Sequence, residues 1–238
     1  MILLAIDTCD SRGSVSLVRE NGVVATVVHE SGEPYSSWLF AEVGRLVKSA
    51  VGDLSRIQAY GVANGPGSFT GLRVGLTAVK GWAELYERPV IAVSRLEAVA
   101  VQSRSNSGWV GAFLDAYRGQ VFGGLYRKEG RQLTTVGQEM VGSPEEFVAW
   151  ALSQAGGRNV AWISPDAQLL ASLAEEPGCA HMEVEPASIP LAAAIREIAA
   201  ERLQRGMVTD ALHLDANYVR RSDAEIFWKD PSAGRKLG

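Results

Sequence analysis

The chain has 238 residues, enough for one large domain or two small ones that each bury a core. Its composition, 47% hydrophobic and 21% charged, is that of an ordinary folded protein and excludes a disordered or low-complexity chain. With 23 basic and 27 acidic residues and a formal charge of -4, the surface as a whole does not attract nucleic acid or anionic lipid, so any RNA contact is expected to be local or supplied by a partner.

The cysteines and the N-terminus indicate a cytoplasmic protein. Cys9 and Cys179 are far apart and have no cluster of ligating residues beside them, which argues against a disulfide framework and a cysteine zinc site. The apolar run 2–6 leads directly into Asp7 without a basic leader. No later stretch reaches the roughly 20 apolar residues that a membrane helix needs, so we expect no membrane span.

The first half of the chain predicts three strands followed by helices and strands in alternation. The predicted elements are strands at 2–8, 14–19 and 23–29, a helix at 36–50, a strand at 57–63, a helix at 70–87, a strand at 89–93 and a helix beginning near 94. Asn21-Gly22 predicts a tight hairpin between the second and third strands. The predicted order is therefore βββαβαβα.

From residue 108 a similar order is predicted again. The elements are strands at 109–115, 120–127 and 131–140, a helix from 143 to 155, a strand at 160–163, a short helix at 165–173, a strand at 181–184 and a helix at 187–205. The helix at 143 is marked by Ser143 as a cap, Pro144 at the first position and two glutamates in the first turn.

This repeat predicts an α/β protein with the actin-like ATPase (ASKHA) fold, built from two duplicated βββαβαβα lobes. We predict an N-terminal lobe at 1–105 that carries the partner interface, a C-terminal lobe at 106–210, and a partly disordered C-terminal segment at 211–238. Both first strands end in an aspartate, Asp7 and Asp115, and in such a fold these carboxylates face a nucleotide and a metal ion between the lobes. Each aspartate can instead simply form a turn at the end of its strand.

A glycine-rich run at 64–75 joins a predicted strand to a predicted helix. Glycines allow close backbone approach, and N–H groups at a helix start attract anions, so the run predicts either an anion contact at Gly65, Gly67 and Ser68 or a tight structural turn. It is not a P-loop, because no Gly-Lys-Ser/Thr follows. It also misses the dinucleotide fingerprint, because three residues separate Gly67 from Gly71.

The helix predicted at 70–87 has two faces that need burial. One is a stripe of small residues that ends in a tryptophan: Gly71, Gly75, Ala78 and Trp82. The other is apolar and suits packing on a sheet. The small-residue stripe would let another helix approach closely, from this chain or from a partner, and both alternatives stay open.

The helix predicted at 36–50 carries an aromatic residue away from its main apolar face. Trp38 lies beside Glu42 and Arg45, where an exposed aromatic would suit an interface. A lone surface aromatic is the alternative.

No catalytic constellation is evident. The three histidines, His29, His181 and His213, are widely separated, which argues against a histidine metal site. Ser68 does not lie in a Gly-x-Ser-x-Gly elbow, and no serine or cysteine comes with an identifiable base. The tail from 210 to 238 contains several basic residues and could touch RNA or a partner, although a polar terminus needs no ligand.

Several motifs resemble the bacterial TsaB (YeaZ) family. They are Leu4-Ala5-Ile6-Asp7-Thr8, the run Gly65-Pro66-Gly67-Ser68-Phe69-Thr70-Gly71-Leu72-Arg73-Val74-Gly75, the segment Leu114-Asp115-Ala116-Tyr117-Arg118-Gly119-Gln120-Val121-Phe122, and the closing Tyr218-Val219-Arg220. The resemblance is dense to about residue 125 and thin from there to about 210.

The resemblance implies an actin-like fold and a non-catalytic scaffolding role in forming N6-threonylcarbamoyladenosine at position 37 of tRNA. In that pathway a TsaC-like synthase makes threonylcarbamoyl-adenylate, and a metal-bearing, TsaD-like paralogue transfers the group to the adenosine amine. A TsaE-like ATPase joins the pair, and tRNA is reached through the complex. The resemblance implies no cofactor or metal of the chain's own, with ATP or ADP and Mg²⁺ only within the complex.

The resemblance also implies which residues make contacts, and none of them is catalytic. Helices near 36–50 and 70–87 would meet the TsaD-like partner or a second copy of this chain through Tyr35, Trp38, Leu39, Glu42, Arg45, Gly71, Arg73, Val74, Gly75, Ala78 and Trp82. A nucleotide or anion would be contacted by Asp7, Thr8, Gly65, Gly67, Ser68 and Asp115.

The sequence departs from the family pattern at two places. Tyr35-Ser36 stands where the family often has His-Ser, and the usual Asp-Ala-Arg is Asp-Ala-Tyr here, with the arginine displaced to Arg118. Two other functions stay open. One is a small-molecule kinase or ATPase that uses Asp7 and Asp115 with Mg-ATP. The other is a peptidase, which the missing nucleophile, base and metal ligands disfavour.

Overall fold

Two five-stranded sheets with the same internal order form the framework. The computed structural model describes residues 1–19, 22–30, 32–130, 132–170 and 182–219. The first sheet has the order β3-β2-β1-β4-β5 and consists of β1 (Leu3–Asp7), β2 (Ser14–Arg19), β3 (Gly22–Val28), β4 (Ala59–Ala63) and β5 (Val90–Val93). The second has the order β8-β7-β6-β9-β10 and consists of β6 (Trp109–Asp115), β7 (Val121–Glu129), β8 (Gln132–Gly142), β9 (Ala161–Ser164) and β10 (Val184–Pro186).

Each sheet begins as an antiparallel meander and continues as parallel strands. β1 pairs antiparallel with β2 and parallel with β4, and β6 pairs in the same way with β7 and β9. The central strand β1 is buried along its whole length, as expected for a strand covered by helices on both faces. The predicted duplicated, actin-like α/β fold is confirmed.

Within the described ranges, five helices cover the sheets, and two of them cross between the lobes. The helices are α1 (Tyr35–Ala50), α2 (Phe69–Tyr86), α3 (Arg95–Ala100), α4 (Pro144–Ala155) and α5 (Ala192–Gln204). α3 follows the first sheet in sequence but packs on β6 and β7, whereas α5 follows the second sheet but packs on β1 and β4. The two crossing helices contact each other and are joined by an ion pair of 2.7 Å between Arg202 and Glu97.

α5 lies close to the first sheet because β4 has a glycine at the contact. A Cβ atom on Gly61 would come within 2.8 Å of the Ala199 Cβ atom. The predicted lobe boundary near residue 105 falls between α3 and β6, and the division at 105 and 210 stays a prediction. With α5 on the first sheet, each sheet is completed by a helix from the other half of the sequence.

The local signals for α4 are confirmed in detail. The Ser143 side chain accepts a hydrogen bond from the Glu146 backbone N–H, the Glu146 side chain accepts one from the Ser143 backbone, and Pro144 begins the helix. α5 begins at Ala192 rather than at 187, since Pro190 disfavours helical geometry in the residue before it. Of the predicted helix at 165–173, residues 167–170 form a short 3-10 turn and 165–166 are not helical, whereas 171–173, like His181 at the start of the predicted last strand, lie outside the described residues.

Candidate functional site

The cleft between the lobes contains a cavity of about 780 Å³. Its walls come from the turn after β1, the loop that leads into α2, the turn between β6 and β7, and residues 217–219. Cys9, Phe69, Asp115 and Tyr117 are among the lining residues. The cavity therefore lies where the two duplicated lobes bring their first hairpins together.

The glycines of the loop and of α2 let the helix approach β1. A Cβ atom on Gly71 would come within 2.0 Å of the Thr8 carbonyl oxygen, and one on Gly75 within 2.5 Å of Thr8 Oγ1. The Thr8 hydroxyl donates to the Gly71 carbonyl at 2.7 Å. Ala78 is buried as well. The prediction that another helix, from this chain or from a partner, packs on Gly71 and Gly75 is therefore wrong for the chain as folded here, because Thr8 at the end of β1 occupies that space.

The loop before α2 is a tight turn against the end of β1. A Cβ atom on Gly67 would come within 2.3 Å of the Cys9 carbonyl oxygen. The Ser68 side chain accepts a hydrogen bond of 3.3 Å from the Gly71 backbone and so caps α2. The Gly65 carbonyl accepts a hydrogen bond of 2.7 Å from the Arg95 backbone. These contacts account for the loop sequence structurally, and anion binding there stays a prediction.

Asp7 is held in a buried ion pair. Its Oδ2 atom accepts a hydrogen bond of 3.0 Å from Arg95 Nε, and its Oδ1 atom accepts one of 2.9 Å from the Cys9 backbone. The residue is 1% exposed. It does not line the cavity, so it does not face a ligand there.

Asp10 extends this pair into a network that sequence reasoning missed. Its carboxylate accepts a short hydrogen bond from Arg95 Nη2 and a bond of 3.2 Å from Arg12 Nη2. Arg12 also pairs with Asp166 of the second lobe at 3.0 Å. Burial raises the pKa of Asp10, but Arg95 beside it outweighs that effect and the pKa lies below its ordinary value. The one signal in the sequence was an arginine two positions after the end of β5.

Asp115 occupies the opposite wall in a different environment. Its Oδ1 atom accepts a hydrogen bond of 2.7 Å from the Tyr117 backbone N–H, which makes it a turn-forming residue that also lines the cavity. Tyr117 and Arg118 have φ angles of 59° and 57°, in the left-handed region that is costly for residues with a Cβ atom. Asp7 and Asp115 therefore do not form an equivalent pair.

The arrangement does not fit Mg²⁺ bound between Asp7 and a nucleotide. Magnesium needs carboxylate oxygens and water in nearly octahedral geometry, but both oxygens of Asp7 already accept N–H groups and a guanidinium neutralises the charge. Among the described ranges, no group of three or more His, Cys, Asp and Glu residues could hold a metal ion.

The C-terminal segment closes one side of the cleft. The Asn217 backbone N–H donates to the Asn64 carbonyl at 2.7 Å, and its side chain donates to Glu139 Oε2 at 2.6 Å. The Tyr218 ring lies 5.4 Å from the Phe69 ring. Partial disorder was predicted for 211–238; of that segment the structure describes 211–219, which is tied to both lobes, and 220–238 lies outside the described residues.

Several α1 residues that were predicted to form an interface are buried in the structure. Trp38 is 6% exposed and packs at 5.0 Å from the His29 ring and 5.8 Å from the Tyr35 ring, so the prediction that it is exposed is wrong. Leu39 is also buried. Glu42 and Arg45 pair with each other at 3.0 Å on the surface.

A partly different set of residues lies on the outer surface of α1 and α2, and of these only Trp82 was predicted to form an interface. Phe40 is 52% exposed and contacts Trp82 at a ring distance of 5.6 Å. Leu85 is 69% exposed, and a Cβ atom on Gly44 or Gly81 would meet nothing within 4 Å. Arg73 is exposed and Val74 half-buried on α2. We call the set Phe40, Gly44, Gly81, Trp82 and Leu85 the outer helix face.

No helix of the described ranges is both long and apolar enough to cross a membrane.

Comparisons with known proteins agree with this fold. Residues 18–228 match the family described as TsaD: tRNA N6-adenosine threonylcarbamoyltransferase. A Bacillus subtilis protein named tRNA threonylcarbamoyladenosine biosynthesis protein TsaB is 38% identical over 130 residues, covering 53% of this chain and 56% of that relative. An Escherichia coli protein of the same name is 27% identical over 233 residues, covering 96% of this chain and 97% of that relative.

Solved structures point to the same group. YeaZ from Pseudomonas aeruginosa is similar with a TM-score of 0.73 and 26% identity, covering 91% of this chain and 99% of that chain. A second P. aeruginosa structure, of a protein with similarity to peptidase YeaZ, has a TM-score of 0.75 and covers 92% of this chain and 99% of that one. The chain therefore belongs to the TsaD family and, within it, to the TsaB (YeaZ) group.

Proposed function

We propose that this chain is a cytoplasmic, non-catalytic accessory subunit in the formation of N6-threonylcarbamoyladenosine on tRNA, and that it binds a TsaD-like transferase. The names of its bacterial relatives support the pathway. In this proposal a TsaC-like synthase supplies the activated group, a TsaE-like ATPase joins the pair, and tRNA and nucleotide are bound within the complex. A second copy of the chain takes the partner's place when the transferase is absent.

The buried pair of Asp7 and Arg95 is the observation that carries the non-catalytic part of the proposal. A catalytic carboxylate in the cleft must reach a metal ion, a water molecule or a substrate. Asp7 reaches none of these, because it lies behind the cavity wall and both of its oxygens accept hydrogen bonds from the protein. The kinase alternative loses its first carboxylate for the same reason.

The outer helix face is the surface that we propose for the transferase. Phe40 and Trp82 offer aromatic anchors of the kind that dominate protein interfaces. Gly44 and Gly81 have open space above them, so a partner helix can approach the backbone closely there. Arg45 and Arg73 are exposed and suit a polar rim.

The test is co-purification of the tagged chain with the TsaD-like protein of the same organism, together with an assay of threonylcarbamoyladenosine formation. We expect Gly44→Arg and Gly81→Arg to abolish the complex and the modification without lowering the melting temperature of the isolated chain. Gln204→Arg adds the same side chain at an exposed position of α5 and is the matched control. Complex formation unchanged in both glycine variants would rule out this surface, and turnover by the isolated chain would rule out the non-catalytic role.

A further inference from the structure

We propose that Arg95 is the resident cation of the interlobe cleft: its guanidinium lies between Asp7 and Asp10 where a divalent cation would otherwise be needed, and removing it uncovers a divalent-cation site. This inference concerns the cleft and does not depend on the partner proposed for the outer helix face.

Arg95 binds three oxygen acceptors from two separate segments. Nε donates to Asp7 Oδ2 at 3.0 Å, Nη2 donates to Asp10 Oδ2, and Nη1 donates to the Pro66 carbonyl at 3.2 Å. Two carboxylates and a backbone carbonyl are the oxygen ligands that hard divalent cations take in proteins. The guanidinium therefore occupies a pocket whose donor set suits a metal ion.

Burial makes a cation at this point necessary. The side chains of Arg95 and Asp7 are 4% and 1% exposed. Two carboxylates brought together at such a depth repel each other and are poorly solvated, so they need a positive partner to stay ionised. Burial by itself would lower the pKa of Arg95, but Asp7 and Asp10 outweigh it and raise the pKa above its ordinary value, so the charge is permanent.

The position of the guanidinium is fixed by the backbone that carries it. Ser94 caps α3 by accepting a hydrogen bond of 3.1 Å from the Leu96 backbone, and the Arg95 backbone donates to the Gly65 carbonyl at 2.7 Å. Arginine suits this task because its planar group presents several donors in a fixed arrangement. The positive charge is thus supplied by a side chain in the first turn of α3 and not by an ion from solution.

The charge balance of the surrounding network allows a divalent cation to replace the arginine. Asp10 also pairs with Arg12, and Arg12 with Asp166, so three carboxylates face two guanidinium groups and leave one negative charge in excess. Without Arg95 the same network has two negative charges in excess. One Mg²⁺ or Mn²⁺ ion would neutralise them.

The test compares the full-length chain with Arg95→Met, which keeps a long side chain and removes the charge. Thermal unfolding is measured in EDTA and in Mn²⁺, and bound Mn²⁺ is counted by electron paramagnetic resonance. For the native chain we expect the same melting temperature in both solutions and no bound ion. Arg95→Met should melt lower in EDTA, recover part of the loss in Mn²⁺, and bind about one ion per chain.

Two further variants make the result specific. Arg95→Lys keeps a positive charge and should bind no Mn²⁺. The double variant Asp7→Asn, Arg95→Met lacks one carboxylate, and it should bind no Mn²⁺ and melt higher in EDTA than Arg95→Met because less charge is left unpaired. The proposal is overturned if Arg95→Met binds no ion, if it stays unfolded in Mn²⁺, or if the native chain binds the ion equally well.

Discussion

Arg12, in the turn after β1, forms a two-point ion pair with Asp166, which follows β9, with Nη1–Oδ1 and Nη2–Oδ2 distances of 3.0 and 3.3 Å. The first residue belongs to the first lobe and the second to the other, so the pair crosses the cleft. Through Asp10, this pair is connected to the buried ion pairs of Arg95. A single network of charged side chains therefore links the two lobes and helps to fix their relative position.

Asp166→Asn should weaken this link by about 1 kcal/mol, a modest amount because the Arg12 side chain is 37% exposed and partly screened by solvent. Urea unfolding of Asp166→Asn, Arg12→Gln and the double variant gives the coupling between the two residues. The exposed pair of Arg127 and Glu129 is the control and should show no measurable coupling. Additive single effects at Arg12 and Asp166 would contradict the link.

Two glycines on α2 should respond in opposite directions to the same change. Gly75→Ala should lower the melting temperature, because the added Cβ atom would lie 2.5 Å from Thr8 Oγ1. Gly81→Ala adds the same atom where nothing lies within 4 Å, and should stabilise the helix by about 0.5–1 kcal/mol. Thermal unfolding of both variants checks this contrast. An unchanged melting temperature for Gly75→Ala would mean that α2 does not pack closely against the end of β1.

Stability should fall in acid partly through Asp10. The pKa of Asp10 is lowered in the folded chain, so its contribution is complete above the ordinary value of 3.8 and is lost as the pH falls below it. Asp10→Asn should therefore be less stable than the native chain at neutral pH and lose less stability on acidification. Urea midpoints measured from about pH 6 to about pH 3 test this, and parallel curves would contradict it.

Cys9 should be unreactive in the folded chain. Its side chain is fully buried, and burial, with a further contribution from Asp7, raises the pKa of the thiol well above its ordinary value. In a Cys179→Ser background, we expect a thiol reagent at about pH 8 to modify Cys9 only after urea is added. Modification at the same rate with and without urea would show that the end of β1 opens readily.

The fold was predictable where its signals are local or repeated. Ser143 and Pro144 mark the start of α4 within a few residues of sequence. The duplicated order of the strands follows from the repeated spacing of the predicted elements along the chain. Trp38 shows the limit of this reasoning, because its position on α1 suggests exposure, while His29 from the preceding segment and Tyr35 at the start of α1 cover it. Helical periodicity describes one helix and not the loop folded against it.

The candidate site was less predictable because its chemistry depends on distant pairs. Asp7 was expected to face a nucleotide, but Arg95, 88 positions away, neutralises it. The small-residue stripe of α2 correctly indicated a close contact, yet nothing local to Gly75 specifies that Thr8 fills the space. Residue type and spacing indicate what a side chain can do, and only the fold determines its partner.

Because α3 and α5 each pack on the sheet formed by the other half of the sequence, the two duplicated halves should not fold independently when the chain is cut between them. A fragment that ends before β6 would lack α5, one of the helices that cover its own sheet, and would carry α3, which covers the other sheet; the complementary fragment would have the reverse defect. Each half would expose apolar strand surface in isolation. The two halves should behave as fragments of one cooperative unit, soluble together and aggregation-prone apart.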